Sequence, residues 1–287
     1  MRRNAIILAA GTSSRFVPLS FEKPKGLLEV KGEVLIERQI RQLKEAGIDD
    51  ICIVVGYKAE MFCYLKDKFG VDIIVNEDFA RYNNTSSMMR ILDRLGNTFI
   101  CSSDNYFLDN VFSSSPEESF YSACFAHGKT KEYCLSIDNT DHIRNVIIGG
   151  ADSWYMIGHA YFSEDFSSKF KNILEREYSK EETRHQYWED IYIKFIDQLP
   201  LMKINRYPED EIKEFDSIDE LRKFDHTYID DTKSSVLKKI AKRLDCAESS
   251  LSGFSQIPNK SESLMFYFKR GDDGFIYDSA HESLTKV

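Results

Sequence analysis

The chain has 287 residues, 42% of them apolar, and a net charge of −9 from 38 basic and 47 acidic side chains. That length and apolar share suit one large α/β domain, with or without a small appendage. An acidic balance without a basic block excludes a nucleic-acid-binding surface. The first apolar run, 5–10, is too short for a signal peptide or membrane insertion, so a cytoplasmic protein is expected. The cysteines Cys52, Cys63, Cys101, Cys124, Cys134 and Cys246 form no C-x-x-C pair and read as small buried hydrophobes in a reducing compartment, not as a zinc site.

Strands and helices alternate through the first half. A buried strand at 5–8 runs into Ala9-Ala10-Gly11-Thr12-Ser13-Ser14, which ends in Arg15, and Lys25 follows ten residues later. Apolar spacing predicts a helix over 34–46, a strand over 51–55, a helix over 58–68 and a strand over 72–76. A helix over 86–95 and a strand over 98–101 follow. Unbroken apolar strands alternating with helices predict a mostly parallel sheet covered on both faces, with ligands at the strands' carboxyl ends. Further on, 120–125, 133–137, 143–148 and 155–162 read as strands, 166–178 and 188–198 as helices, 202–205 as a strand and 217–224 as a helix. The character changes near 230. A Lys-rich amphipathic helix at 232–244 and a short helix at 247–251 precede a hairpin formed by 264–269 and 274–277.

The opening loop carries the clearest chemistry. Ala9, Ala10 and Gly11 let backbone N–H groups approach phosphate oxygens, and Thr12, Ser13 and Ser14 add hydroxyl donors. Arg15 and Lys25 add positive charge where a polyphosphate would lie. With Arg2, Arg3 and Lys23 they form a local basic patch on an acidic chain, which suits a small anionic ligand. Asp104 follows a strand and either caps a turn or binds a divalent cation. The adjacent Glu189 and Asp190, behind Tyr187 and Trp188, either complement a helix dipole or supply a second metal ligand.

The pattern Leu8-Ala9-Ala10-Gly11-x-x-x-Arg15-x-x-Pro18-Leu19, then Lys23-Pro24-Lys25, resembles the sugar-phosphate nucleotidyltransferase superfamily. Together with Asn83-Asn84, Asp104-Asn105-Tyr106, Tyr187-Trp188-Glu189-Asp190 and Glu214-Phe215-Asp216-Ser217, it is similar to the bacterial CTP:phosphocholine cytidylyltransferases over residues 4–225. The resemblance implies a Rossmann-like nucleotidyltransferase fold with a mostly parallel central mixed sheet. It implies CTP and phosphocholine as substrates and Mg²⁺ on Asp104 and Glu189, with Asp190 as a substitute for Glu189. Leu8, Ala9, Ala10, Gly11, Thr12, Ser13, Ser14, Asn83, Asn84, Ser87 and Ser103 would bind the nucleotide, and Arg15 and Lys25 would neutralise its triphosphate. Tyr133, Tyr187 and Glu214 would bind the acceptor. Where uridylyl- and thymidylyl-transferring relatives carry a Gln and a Gly-Thr pair, this chain has Tyr82-Asn83-Asn84-Thr85-Ser86-Ser87. Asn side chains both donate and accept, as a cytosine edge requires, although the same residues would also cap a helix. Three positions depart from the family's common residues: Ser102, commonly an acidic residue, Glu189, often Asp, and Tyr133, often Trp.

Residues 1–230 therefore read as the nucleotidyltransferase domain, and 231–287 as a small α+β appendage that resembles the start of a choline-kinase-like domain. About fifty such residues leave no room for a kinase catalytic loop, so kinase activity is not expected. The appendage is a remnant, a truncation, or a docking element that packs on the main domain or a second subunit, or else a solvated Lys-rich helix and loose hairpin. Two other functions remain open: cytidylyl transfer to 2-aminoethylphosphonate or another small phospho-alcohol, and non-catalytic nucleotide binding. The sequence also leaves room for a homo-oligomer.

Overall fold

The computed structural model describes residues 3–113, 115–257 and 264–287. Arg2 of the basic patch lies outside them. The apolar runs become β1 (Asn4–Ala9), β2 (Asp50–Val55), β3 (Asp72–Val75), β4 (Thr98–Ser102), β5 (Phe120–Ile137), β6 (Ile143–Phe162) and β7 (Lys203–Arg206) of one seven-stranded sheet. Its order is β7-β5-β6-β4-β1-β2-β3. β1 pairs in parallel with β2 and β4, β2 with β3, and β7 with β5. Only β6 runs antiparallel to its neighbours, β4 and β5.

Side-chain alternation assigns the two faces. Ile6, Val54, Ile100, Tyr121, Ala160 and Phe162 join Met88, Phe166, Phe170 and Trp188 in one buried cluster. On the other face the His159 ring is stacked on Phe99 and edge-on to Phe107, Phe112 and Phe120. Its Nδ1 lies 2.8 Å from the Ser122 hydroxyl.

The four strands expected between 120 and 162 are two long ones. Register shifts let the ladder bend without breaking, and Gly128 and Gly149 occupy left-handed positions that other residues rarely adopt. The ribbon curls so far that Tyr155 pairs with both Cys124 and Cys134. Its tip returns to β7, where Ile204 N–H donates to the Asp141 carbonyl at 2.9 Å and Ile143 N–H to the Met202 carbonyl at 2.9 Å. This closure depends on long-range pairing, which strand periodicity cannot reveal.

Three predicted helices are shorter than their periodicity suggests. The 58–68 segment splits into a 3-10 turn Ala59–Phe62 and a helix Tyr64–Phe69 after the left-handed Lys58. The 86–95 helix starts earlier, at Asn84, and ends at Met89, with a 3-10 turn at Leu92–Arg94. The 188–198 helix ends at Lys194. Of the cysteines, Cys52, Cys101, Cys124 and Cys134 are buried, whereas Cys63 is exposed.

The chain packs as two compact units. One comprises Leu35–Lys213 with the residues up to Gly11, and the other Thr12–Val34 with Glu214–Val287. The boundary at 230/231 marks a change in composition, whereas packing divides the chain along other lines. In the second unit, helices Ile218–Phe224 and Ser235–Arg243 accompany an antiparallel sheet of Leu251–Ile257, Met265–Arg270, Asp273–Asp278 and Ser283–Lys286. The expected hairpin forms its centre, and the two outer strands were not expected. Phe266, Phe268, Phe275 and Tyr277 are buried. The guanidinium of Arg222 donates to the carbonyls of Tyr228, Glu248 and Leu251 at 3.2, 2.8 and 2.6 Å.

Burial pushes the His159 imidazole down to about 3. Between that value and an unfolded-state value of about 6.5 the unfolded chain binds the extra proton, so stability must fall as the pH falls through this window. We expect a His159→Leu variant to lose part of the wild-type pH dependence between pH 6.5 and 4, as measured by urea unfolding at several pH values. Equal slopes would show that His159 is not buried neutral.

Candidate active site

The end of β1 is fixed through its carbonyls. Leu8 accepts from Ser103 N–H and Ala10 from Tyr57 N–H, both at 3.1 Å. Ala9 and Ala10 are buried and Gly11 is exposed. Gly56 makes this approach possible. A Cβ there would lie 2.6 Å from Phe79 Cβ and 2.9 Å from the Ala10 carbonyl oxygen. The Asp104 turn is held from the helix Leu35–Glu45, where the buried Gln39 amide donates to the carbonyls of Ser102 and Asn105, both at 2.8 Å.

Asn83 caps the helix Asn84–Met89, its side chain accepting from Asn84 N–H at 2.9 Å. Asn84 reaches outward instead. Its Oδ1 accepts from Trp188 N–H at 2.7 Å, and its Nδ2 donates to Glu189 at 3.4 Å. The Asn pair is thus divided between a cap and a bridge to the acidic helix. Ser87 is buried and accepts from the buried Asn76 amide at 3.1 Å.

The helix Trp188–Lys194 presents the two adjacent carboxylates differently. Asp190 closes a capping box. It accepts from Tyr187 N–H at 2.8 Å and from the Tyr133 hydroxyl at 3.0 Å. Both its oxygens are therefore engaged. Glu189 accepts from the Tyr121 hydroxyl at 3.0 Å, and Tyr121 is stacked on Trp188. Loss of water pushes the Glu189 carboxyl up to about 7, against the hydrogen bonds from its own backbone N–H, Tyr121 and Asn84, and the neighbouring Asp190 adds to the rise. Among the described residues Glu189 has no ion-pair partner.

An oxygen donor whose ionisation burial opposes is one that a hard divalent cation would suit. Among the described residues no group of three or more His, Cys, Asp or Glu side chains could hold a metal.

The second unit carries the two cations. Ser13 adopts a left-handed conformation ahead of the turn Ser14–Phe16. Lys25 is buried, with its Nζ 3.8 Å from Glu214 and 3.7 Å from Asp216. The exposed Arg15 pairs with the same Asp216 at 2.5 Å. Glu214, expected at the acceptor, thus stands beside Lys25. The Tyr133 hydroxyl and the Tyr187 backbone N–H meet at Asp190. Sequence reasoning missed Gln39, Asn76 and Tyr121, whose roles come from partners distant in the chain. The signal available for Asn76 was a lone amide closing an apolar strand.

A parallel sheet with a small-residue loop after β1, a carboxylate after β4 and a second carboxylate on a capped helix defines a nucleotidyltransferase. The model of the MobA-like NTP transferase domain matches residues 5–115. The chain is 34% identical to the 2-aminoethylphosphonate cytidylyltransferase of Lancefieldella rimae, over 79% of this chain and 94% of that one. It is 32% identical to the choline-phosphate cytidylyltransferase of Streptococcus pneumoniae, over 77% and 96%. The solved CTP:phosphocholine cytidylyltransferase of S. pneumoniae superposes with a TM-score of 0.76 at 32% identity, covering 79% of this chain and 99% of that one. The chain belongs to this family of cytidylyltransferases and is a nucleotidyltransferase.

A Gly56→Ala substitution forces Phe79 or the Ala10 carbonyl aside. It should cost about 1–3 kcal/mol of stability, as overpacking does, and weaken nucleotide binding. Urea unfolding and nucleotide titration of the variant check both, and wild-type values would show that the loop tolerates the displacement.

Proposed function

We propose that the protein transfers CMP from CTP to phosphocholine in the cytoplasm, giving CDP-choline and pyrophosphate. The observation that carries the choice of acceptor is Asp190, which accepts from the Tyr133 hydroxyl and from the backbone N–H of the exposed Tyr187. A quaternary ammonium has no N–H to donate and is recognised by aromatic faces and nearby negative charge. Tyr187 is 48% exposed, so its ring is open to a ligand. The Tyr133 hydroxyl is held by Asp190, which fixes the ring. Streptococcal and Haemophilus influenzae relatives that are choline-phosphate cytidylyltransferases support this reading. A second reading, 2-aminoethylphosphonate as acceptor, is favoured by the Lancefieldella relative.

In this reading Leu8, Ala9, Ala10, Gly11, Thr12, Ser13, Ser14 and Ser103 receive the triphosphate, and Asn83, Asn84 and Ser87 lie toward the base and ribose. Asp104 and Glu189 would hold Mg²⁺, which when bound offsets phosphate charge. The engaged oxygens of Asp190 argue against its replacing Glu189. A phosphocholine oxygen attacks the α-phosphorus in line, a new P–O bond forms, and the bond to the bridging oxygen breaks as pyrophosphate leaves. Arg15 and Lys25 neutralise the triphosphate and the departing charge. Releasing them from Asp216 and Glu214 exchanges one set of anions for another. No covalent enzyme intermediate is needed, because positioning and electrostatics supply the acceleration.

Pyrophosphate release should require CTP and phosphocholine, with little from UTP or dTTP and little with 2-aminoethylphosphonate. Release with 2-aminoethylphosphonate alone would transfer the assignment to the second reading, and no release with any pair would overturn the enzymatic one. In a separate test, Mg²⁺ should raise the melting temperature of the wild type and not of Glu189→Gln. A Glu189→Gln variant that keeps both the Mg²⁺ response and turnover would remove Glu189 from the metal site.

A further inference from the structure

The segment Thr12–Val34 carries Arg15 and Lys25, yet it has little structure of its own. It contains the turn Ser14–Phe16, a four-residue helix Leu19–Glu22, the turn Lys25–Leu27, and a hairpin of two-residue strands, Glu29–Val30 with Glu33–Val34. Elements this short do not hold their shape in water. The segment packs in one compact unit with Glu214–Val287, and its contacts there are specific.

Glu22 is the centre of these contacts. Its carboxylate accepts from Ser235 N–H at 2.9 Å, Ser235 Oγ at 2.6 Å, Val236 N–H at 3.3 Å and Ser234 Oγ at 2.5 Å. It thereby satisfies free N–H groups at the start of the helix Ser235–Arg243 and complements its dipole. Phe21 packs edge-on to the buried Phe266 at 5.9 Å. Glu29 is held by Lys233 at 2.9 Å, and its carbonyl accepts from the Tyr228 hydroxyl at 2.6 Å. The strand Leu251–Ile257 lies against the Ser14–Phe16 turn that includes Arg15.

We infer that residues 232–287 are a positioning element for the triphosphate-binding cations, with Glu22 as the positioning residue that couples the two. The appendage therefore sets the affinity for CTP while taking no part in the chemistry. This rests on the proposed roles of Arg15 and Lys25.

The test compares full-length Glu22→Ala, Glu22→Gln and Lys239→Ala. Lys239 pairs with Glu282 inside the appendage and serves as the control. Ser234 remains the N-cap of the helix, but removing the acceptor that its first N–H groups and hydroxyls share weakens a local structure by about five- to tenfold in its equilibrium, so KM for CTP should rise by a similar factor in Glu22→Ala. It should rise less in Glu22→Gln, which keeps one acceptor oxygen. In all three variants kcat and the KM for phosphocholine should stay within about twofold of wild type, and Lys239→Ala should keep the wild-type KM for CTP. Hydrogen exchange should quicken in 12–34 of Glu22→Ala and remain unchanged in 35–213. Wild-type KM and wild-type exchange in Glu22→Ala would overturn the inference, as would exchange that quickens throughout the chain. If the wild-type protein turned over no CTP, that failure would fall on the proposed function, and exchange in 12–34 would decide the inference alone.

Discussion

Two backbone hydrogen bonds at the end of β1 anchor the loop that leaves it. Because β1 lies between β2 and β4, its last carbonyls have partners on either side: Ser103 N–H for Leu8 and Tyr57 N–H for Ala10. A central parallel strand has no free edge, so the chain that leaves it is aimed by both neighbours. The Asp104 turn is tied to the same strand through Ser103, and Gln39 holds the carbonyls on either side of it. Alanines and a glycine at 9–11 leave room for this arrangement, and Gly56 must stay small for the same reason.

The carboxylates show how one fold assigns different tasks to adjacent residues. Asp190 is used up by a capping box and a tyrosine hydroxyl, and its charge is spread over donors. Glu189, one position earlier, lies among Tyr121, Trp188 and Asn84, and its dehydration opposes ionisation. A cation beside it would offset what burial removed. The same logic holds in the second unit with the signs reversed, where the buried ammonium of Lys25 is compensated by Glu214 and Asp216.

The long ribbon of β5 and β6 and the segment Thr12–Val34 illustrate two ways of shaping irregular chain. The ribbon supports itself by curling until its tip bonds to β7. The segment has no ladder to rely on and takes its shape from side chains such as Glu22 and Phe21, which reach into the C-terminal helix and sheet. A composition change near 230 is therefore a poor guide to where packing begins and ends.

Much of the fold was legible in the chain itself. The strand runs at 5–8, 51–55, 72–76 and 98–101 were visible because a buried parallel strand must be apolar on both faces, whatever its neighbours are. The loop at 9–15 and the acidic helix start at 188–190 were legible because the chemistry is local, with small residues for close approach and carboxylates in a first turn. Tertiary structure alone decided the rest. It joined four predicted strands into two, because strand ends are set by cross-strand partners and not by periodicity. It gave Glu189 and Asp190 different surroundings through Tyr121, Asn84 and Tyr133, residues 57 to 105 positions away. It also made the residues after 231 part of the packing of the segment Thr12–Val34, since the contacts of Glu22 with Ser234–Val236 span more than two hundred residues of chain.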